Sequence, residues 1–166
     1  MHDYGYSDLP VSTLHDRGLD FARRALAIDP DSATAIAAVS NIYNQQATRG
    51  IGRHDWTDIL GGYTQALEIE PRNASALNWR GLALGTVGKM SAALADFRSC
   101  VEYEPYYLPC RENLHWFLAE TGQIEEAMRV FRESQDAGAA KTQFIHLGLL
   151  ARTGNELMFK AATNDE

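Results

Sequence analysis

The apolar and polar positions of this chain recur at a nearly fixed spacing. Three apolar segments, at residues 25–30, 66–71 and 100–105, each end in an acidic residue followed by proline. The second and third of these prolines are 34 residues apart, whereas the first two are 41 apart. A period of 34 residues is typical of stacked helical hairpins, and the longer interval indicates an insertion in the first complete unit.

A second pattern lies in phase with the prolines. Small residues recur where two helices must approach closely, and large aromatic residues recur at Tyr63, Phe97 and Phe131. The aligned copies read Ile36, Ser40, Tyr43, Trp56, Ile59, Tyr63 and Ala66, then Leu77, Gly81, Leu84, Gly88, Met90, Ala93, Phe97 and Cys100, then Arg111, His115, Leu118, Gly122, Ile124, Ala127, Phe131 and Ser134. With these residues the chain resembles the tetratricopeptide repeat (TPR) family over roughly residues 13–137.

The resemblance implies an all-α fold, a right-handed superhelical stack of antiparallel helix pairs with about 3.5–4 repeats. We expect an extended lead-in at residues 1–12 and repeats at 13–137, with the insertion at about 46–54. A C-terminal capping helix pair and tail are expected at 138–166. Thr13 and Asp16 have the spacing of a capping box, which would start the first helix.

The first predicted helix matches only the second half of a repeat. Its apolar side includes Leu19, Ala22 and Leu26, and an apolar side needs a cover. Either residues 1–12 or a second chain covers it, or the chain was cut from something longer. A homodimer through exposed terminal helices is therefore one prediction.

Charge and hydropathy narrow the classes of partner. The net charge is −7, with 22 acidic residues against 15 basic ones and no basic block. Such a chain is poorly suited to bind nucleic acid by neutralising phosphates. No run of about 18 apolar residues and no signal-peptide pattern occur, so we expect no membrane partner and a cytoplasmic protein. The expectation of a bacterial protein comes from the similarity of residues 22–33 to repeat regions of bacterial regulators.

Catalytic and metal-binding motifs are absent from the sequence. The five histidines lack ligand spacing, and the glycines of segment 49–53 do not follow a predicted strand. We therefore expect no enzyme activity, no metal and no cofactor. His115 stands where the other copies have Ser40 and Gly81, and we interpret it as a partly buried histidine bonded to a neighbouring carbonyl rather than a ligand.

The two cysteines flank a turn. Cys100 and Cys110 lie five residues before and five after Pro105, which places them on neighbouring antiparallel helices. In a chain expected to be cytoplasmic, two reduced thiols are the favoured interpretation and a disulfide is the alternative.

The resemblance also indicates where a partner would bind, because in the TPR family the first helix of each pair lines a concave groove. Amide side chains can pair both donors and acceptors of a peptide backbone, and tryptophan supplies flat apolar area. The predicted function is a protein–protein interaction module that binds a peptide or protein segment in this groove. The predicted groove residues are Asn41, Asn44, Gln45, Asn78, Trp79, Leu82, Glu112, Asn113, Trp116 and Glu120.

Three alternatives stay open. The tryptophans could instead pack against neighbouring helices, and the insertion, which carries Arg49 and Arg53, could contact a partner or serve as a spacer. The whole chain could instead be a regulatory or oligomerisation domain excised from a larger bacterial regulator, either a transcription factor or a nucleotide-cyclase-like protein. Residues 22–33 are similar to repeat regions of such regulators.

Overall fold

The computed structural model describes residues 9–136, and this part of the chain consists of seven α-helices with no strand. The predicted capping pair at 138–166 and most of the predicted lead-in lie outside the described residues. The helices are α1 (Val11–Ile28), α2 (Ala33–Thr48), α3 (Trp56–Ile69), α4 (Ala74–Thr86), α5 (Met90–Tyr103), α6 (Leu108–Glu120) and α7 (Ile124–Asp136).

The helices stack as consecutive antiparallel pairs. Helix α2 packs against α3, α4 against α5, and α6 against α7, while α2, α4 and α6 also contact one another in sequence. Helix α1 packs against α2, as the second helix of a preceding pair would. The turns inside the second and third pairs contain Gly88 and Gly122, whose positive φ angles end α4 and α6 without a Cβ clash. The all-α solenoid predicted from the repeats is confirmed.

The interior between paired helices follows the predicted alternation of small and large residues. Tyr63 and Phe97 are fully buried. A Cβ added to Gly81 would come within 2.6 Å of the Phe97 ring, so the glycine makes room for the aromatic side chain of the facing helix. The phase assigned to the repeats is therefore confirmed by packing.

Helix α1 differs from the prediction at its start and on its faces. It begins at Val11 with Pro10 at the N-cap and no side-chain capping hydrogen bond, so the predicted capping box at Thr13 is wrong. Leu19 and Ala22 are already buried, and Leu26 packs against the core cluster around α2 and α3, so these residues need no further cover. The apolar residues that α1 exposes are others, namely Val11, Leu14, Phe21 and Ile28.

Cys100 and Cys110 form a disulfide, with their Cα atoms 6.0 Å apart. The favoured expectation of two reduced thiols is therefore wrong, and the alternative holds. The bond joins the last turn of α5 to the first turn of α6, and both residues are fully buried. Their sulfur atoms lie 3.4 and 3.9 Å from the carbonyl oxygen of Ala74, at the start of α4. Three helices thus meet at this bond.

Candidate functional site

We call the sides of α2, α4 and α6 that face away from α3, α5 and α7 the groove surface. The predicted groove residues fall into three groups by exposure. Asn44 and Asn78 are buried, and Asn41, Gln45, Trp79, Leu82 and Asn113 are partly buried. Glu112, Trp116 and Glu120 are exposed, and all three lie on α6. The structure thus places the accessible part of the predicted set on one helix.

Asn78 and Asn113 bind each other. Asn113 Nδ2 donates a hydrogen bond of 2.8 Å to Asn78 Oδ1, which links α6 to α4. Asn78 is only 4% exposed. These two amides therefore stabilise the contact between consecutive repeats, and they are less available to a peptide backbone than predicted.

Trp79 and Leu82 belong to the packing of α4. Trp79 contacts the core cluster of α2, α3 and α4, and Leu82 contacts the cluster of α5, α6 and α7. Trp116 is different, because 37% of it is exposed and it belongs to neither cluster. The alternative in which the tryptophans pack against neighbouring helices describes Trp79 better than Trp116.

Asn44 and Gln45, near the C-terminal end of α2, contact neighbouring parts of the chain. Asn44 lies beside Tyr63, which is fully buried on α3, and burial raises the pKa of this tyrosine. The Gln45 side-chain oxygen lies 3.4 Å from His15 Nε2 on α1. It also accepts a 3.4 Å hydrogen bond from Arg49 Nη1. Gln45 therefore ties α1 and the start of the insertion to α2.

Glu112, Trp116 and Glu120, which we call the α6 stripe, follow one another at intervals of four residues. Residues four apart on a helix lie on the same face, so each carboxylate sits about one turn from the tryptophan. Although Glu112 as a whole residue is exposed, partial desolvation of its carboxyl group raises its pKa. Within the described residues, neither glutamate has a basic nitrogen within 4.0 Å. The stripe presents two uncompensated carboxylates around an accessible indole.

Two ion pairs join different helices elsewhere in the stack. Arg80 on α4 binds Asp96 on α5 through two hydrogen bonds of 2.7 Å, and this pair is largely buried. Arg98 on α5 binds Glu126 on α7 at 2.7 Å, an interaction that lowers the pKa of the glutamate. In the described part of the chain, both ion pairs between helices include a residue of α5, whereas the stripe has no ion pair.

The insertion after α2 comprises residues 49–55, since α2 continues to Thr48. The His54 ring stacks on Tyr43 with a centroid distance of 4.7 Å. Asp55 caps α3 by accepting a 2.7 Å hydrogen bond from the Thr57 amide, and this bond lowers the pKa of Asp55. Arg49 is bound to Gln45, while Arg53 is exposed. Contact of this loop with a partner stays a prediction.

His115 has the structural position that we expected. It is 6% exposed, and its Nδ1 lies 2.9 Å from the carbonyl oxygen of Ala127 on α7. Its ring also contacts Phe131, and burial lowers its pKa. The histidine therefore joins α6 to α7.

Neither a metal site nor a membrane span is evident in residues 9–136. That part of the chain contains no group of three or more His, Cys, Asp or Glu side chains placed to hold a metal ion. It also has no helix that is both long and apolar enough to cross a bilayer.

Comparison with known proteins supports the fold. No model of a known protein family matches the chain. The curated mouse (Mus musculus) protein "Tetratricopeptide repeat protein 14" is 38% identical over 77 residues, which cover 46% of this chain. The chain spans only about a tenth of that protein's length.

Two solved structures extend the likeness to most of the chain. The first, "YrrB: a TPR protein with an unusual peptide-binding site", is 21% identical with a TM-score of 0.62, covering 93% of this chain and 81% of its own. The second, "MamA RS-1 ArsTM double mutant", is 15% identical with a TM-score of 0.64, covering 89% and 79%. The class is thus an all-α helical solenoid. Its fold is that of tetratricopeptide repeat proteins, so the predicted resemblance is confirmed.

Proposed function

We propose that this chain is a protein–protein interaction module that binds a peptide or protein segment on its groove surface. The observation that carries the proposal is the exposure of Trp116 on a surface where most neighbouring side chains are packed or hydrogen-bonded. Exposed tryptophans are frequent anchors of protein interfaces, because they bury much apolar area at small entropic cost. YrrB, which has a similar fold, is described as carrying a peptide-binding site.

The expectations about other partners and about the location of the chain are also proposals. The acidic net charge of −7 supports a chain that does not bind nucleic acid directly. The absence of catalytic motifs supports a role other than catalysis. Our expectations of a bacterial origin and a cytoplasmic location stay predictions, and the Cys100–Cys110 disulfide argues against the second, because disulfides are rare in the cytosol.

A homodimer through terminal helices has a physical basis in α1. Leu14, Phe21 and Ile28 follow one another at intervals of seven residues and are 43%, 66% and 88% exposed. Such an apolar row is a candidate contact between copies. The domain of a larger bacterial regulator remains a less favoured second function, with no specific observation in its support.

Selection of random peptides displayed on phage tests the groove proposal. The selected peptides should bind the parent chain and lose at least tenfold in affinity for Trp116→Ala, measured by fluorescence polarisation. The matched control is Phe21→Ala, which removes an exposed aromatic side chain from α1 and should leave affinity unchanged. Peptides that respond to Phe21→Ala and ignore Trp116→Ala would move the site to α1 and overturn the proposal.

A further inference from the structure

The α6 stripe has the chemistry of a site for a positively charged side chain. The first and last of its three residues are eight residues apart on α6, which corresponds to about 12 Å along the helix axis at about 1.5 Å per residue. A cation held over an indole lies within about 6 Å of the ring centre. A cation over Trp116 would therefore sit about one helical turn from each glutamate.

The surroundings of the stripe leave its charge uncompensated. The neighbouring amides of Asn78 and Asn113 bind each other. Arg111, the basic residue just before Glu112, points its Nε at the carbonyl oxygen of Pro105. Partial desolvation of the Glu112 carboxyl group also disfavours its charged form, and a bound cation would relieve that cost.

A cleft at the N-terminal ends of α2, α4 and α6 adds further carboxylates, at the opposite end of α6 from Glu120. This cleft of about 300 Å³ is lined by residues that include Thr34, Ser75, Tyr107, Glu70 and Glu104. Arg72 is the basic residue in its lining, and the guanidinium carbon lies 5.3 Å from the centre of the Tyr103 ring. The hydroxyl and carboxylate groups suit a polar or cationic segment better than an acidic one.

We infer that the groove recognises a segment of another protein that carries an arginine, whose guanidinium lies over Trp116 and binds Glu112 or Glu120. This inference rests on the proposed function and specifies its partner. Arginine fits better than lysine, because its planar guanidinium stacks on an aromatic ring and binds a carboxylate through two parallel hydrogen bonds. The acidic chain as a whole would also attract such a segment.

The test begins with the phage-selected peptides that depend on Trp116. We expect an arginine at one aligned position, and its replacement by citrulline, which is similar in shape but uncharged, should lower affinity at least tenfold. Glu112→Gln and Glu120→Gln should together have a similar effect. The matched control is Glu125→Gln on α7, an exposed glutamate without an ion pair in the described chain, which should bind like the parent.

A charge exchange sharpens the test. Glu112→Arg should favour peptides in which the arginine is replaced by glutamate, and it should weaken the original peptides. Trp116-dependent peptides without a basic residue, or with affinities unchanged by citrulline, would overturn this inference and leave the groove proposal intact. Failure to obtain any Trp116-dependent peptide would overturn both.

Discussion

The first helices of the pairs, α2, α4 and α6, differ between the side that packs against the second helices and the groove surface. On the side that faces the second helices, Arg80 is neutralised by Asp96 and Phe97 fills the space beside Gly81. On the groove side, the α6 stripe has two carboxylates without ion partners in the described chain and a partly exposed indole. Packing and charge pairing thus fix these residues of the first side. On the groove side Asn78 and Asn113 bind each other, but the stripe has no ion pair in the described chain and its tryptophan lies outside both core clusters. Stability should therefore reside in the interior, and recognition in the stripe.

The largest effect is expected for Phe97→Ala, which empties the interior between α4 and α5. Phe97 is fully buried, so the substitution should lower the free energy of unfolding by about 3–5 kcal/mol. Urea unfolding monitored by circular dichroism measures this change. A urea midpoint equal to that of the parent chain would show that the interior side chains do not contribute more to stability than those of the groove surface.

The next effect concerns the disulfide, which lies on the interior side. Its sequence separation of 10 corresponds to a loop-closure contribution of about 2–3 kcal/mol. Reduction with dithiothreitol should lower the unfolding midpoint accordingly, while a Cys100→Ala, Cys110→Ala variant should not respond to reductant. Alkylation of the unreduced, unfolded chain should leave both cysteines unmodified in mass spectrometry, and modification of both would contradict the bond.

A smaller effect should follow from Asn78→Ala, at the border between interior and groove. The substitution removes the acceptor of the Asn113 amide, and a partly buried amide left without its partner costs about 1–2 kcal/mol. Asn41→Ala is the control, since Asn41 is a partly buried asparagine on a first helix that makes no side-chain hydrogen bond in the described chain. Equal thermal stability of the two variants would show that the amide pair contributes nothing.

The smallest change in stability is expected for Trp116→Ala. The side chain belongs to neither core cluster, so the free energy of unfolding should fall by less than about 1 kcal/mol. Thermal unfolding measures this, with Trp79→Ala as a contrasting variant that should lose more. If Trp116→Ala instead unfolded the chain, the tryptophan would be a packing residue and the distinction between the two sides would fail.

The contacts of the interior could be predicted from the sequence, because the small and aromatic residues that form them recur at the same position in each repeat. Gly81 and Phe97 occupy positions that recur in phase, so their contact could be predicted without coordinates. The groove residues carry no such signal. Asn78 and Asn113 looked like free amides, since a hydrogen bond between residues 35 positions apart depends on how consecutive repeats are offset.

Two other predictions from the sequence, for the cysteines and for α1, differ from the structure because they depended on information that the sequence does not contain. The sequence placed Cys100 and Cys110 side by side, but the expectation of reduced thiols came from an assumed compartment rather than from geometry. Helix α1 has two rows of apolar residues, one that contains Leu19 and one that contains Phe21. The sequence of a single chain does not indicate which of the two rows packs against α2. The structure buries Leu19 and leaves Phe21 exposed.

The disulfide also has a mechanical consequence. Ten residues of extended chain reach about 33–36 Å. The bond holds the Cα atoms at its two ends 6.0 Å apart, so it withholds roughly 30 Å of length from a chain under tension. The corresponding turn between α3 and α4 is secured by hydrogen bonds of Asn73 to Ala76, Thr34 and Glu70 instead. When the stack is pulled from its ends, the turn between α3 and α4 can therefore extend. The turn between α5 and α6 cannot extend until a reductant breaks the disulfide.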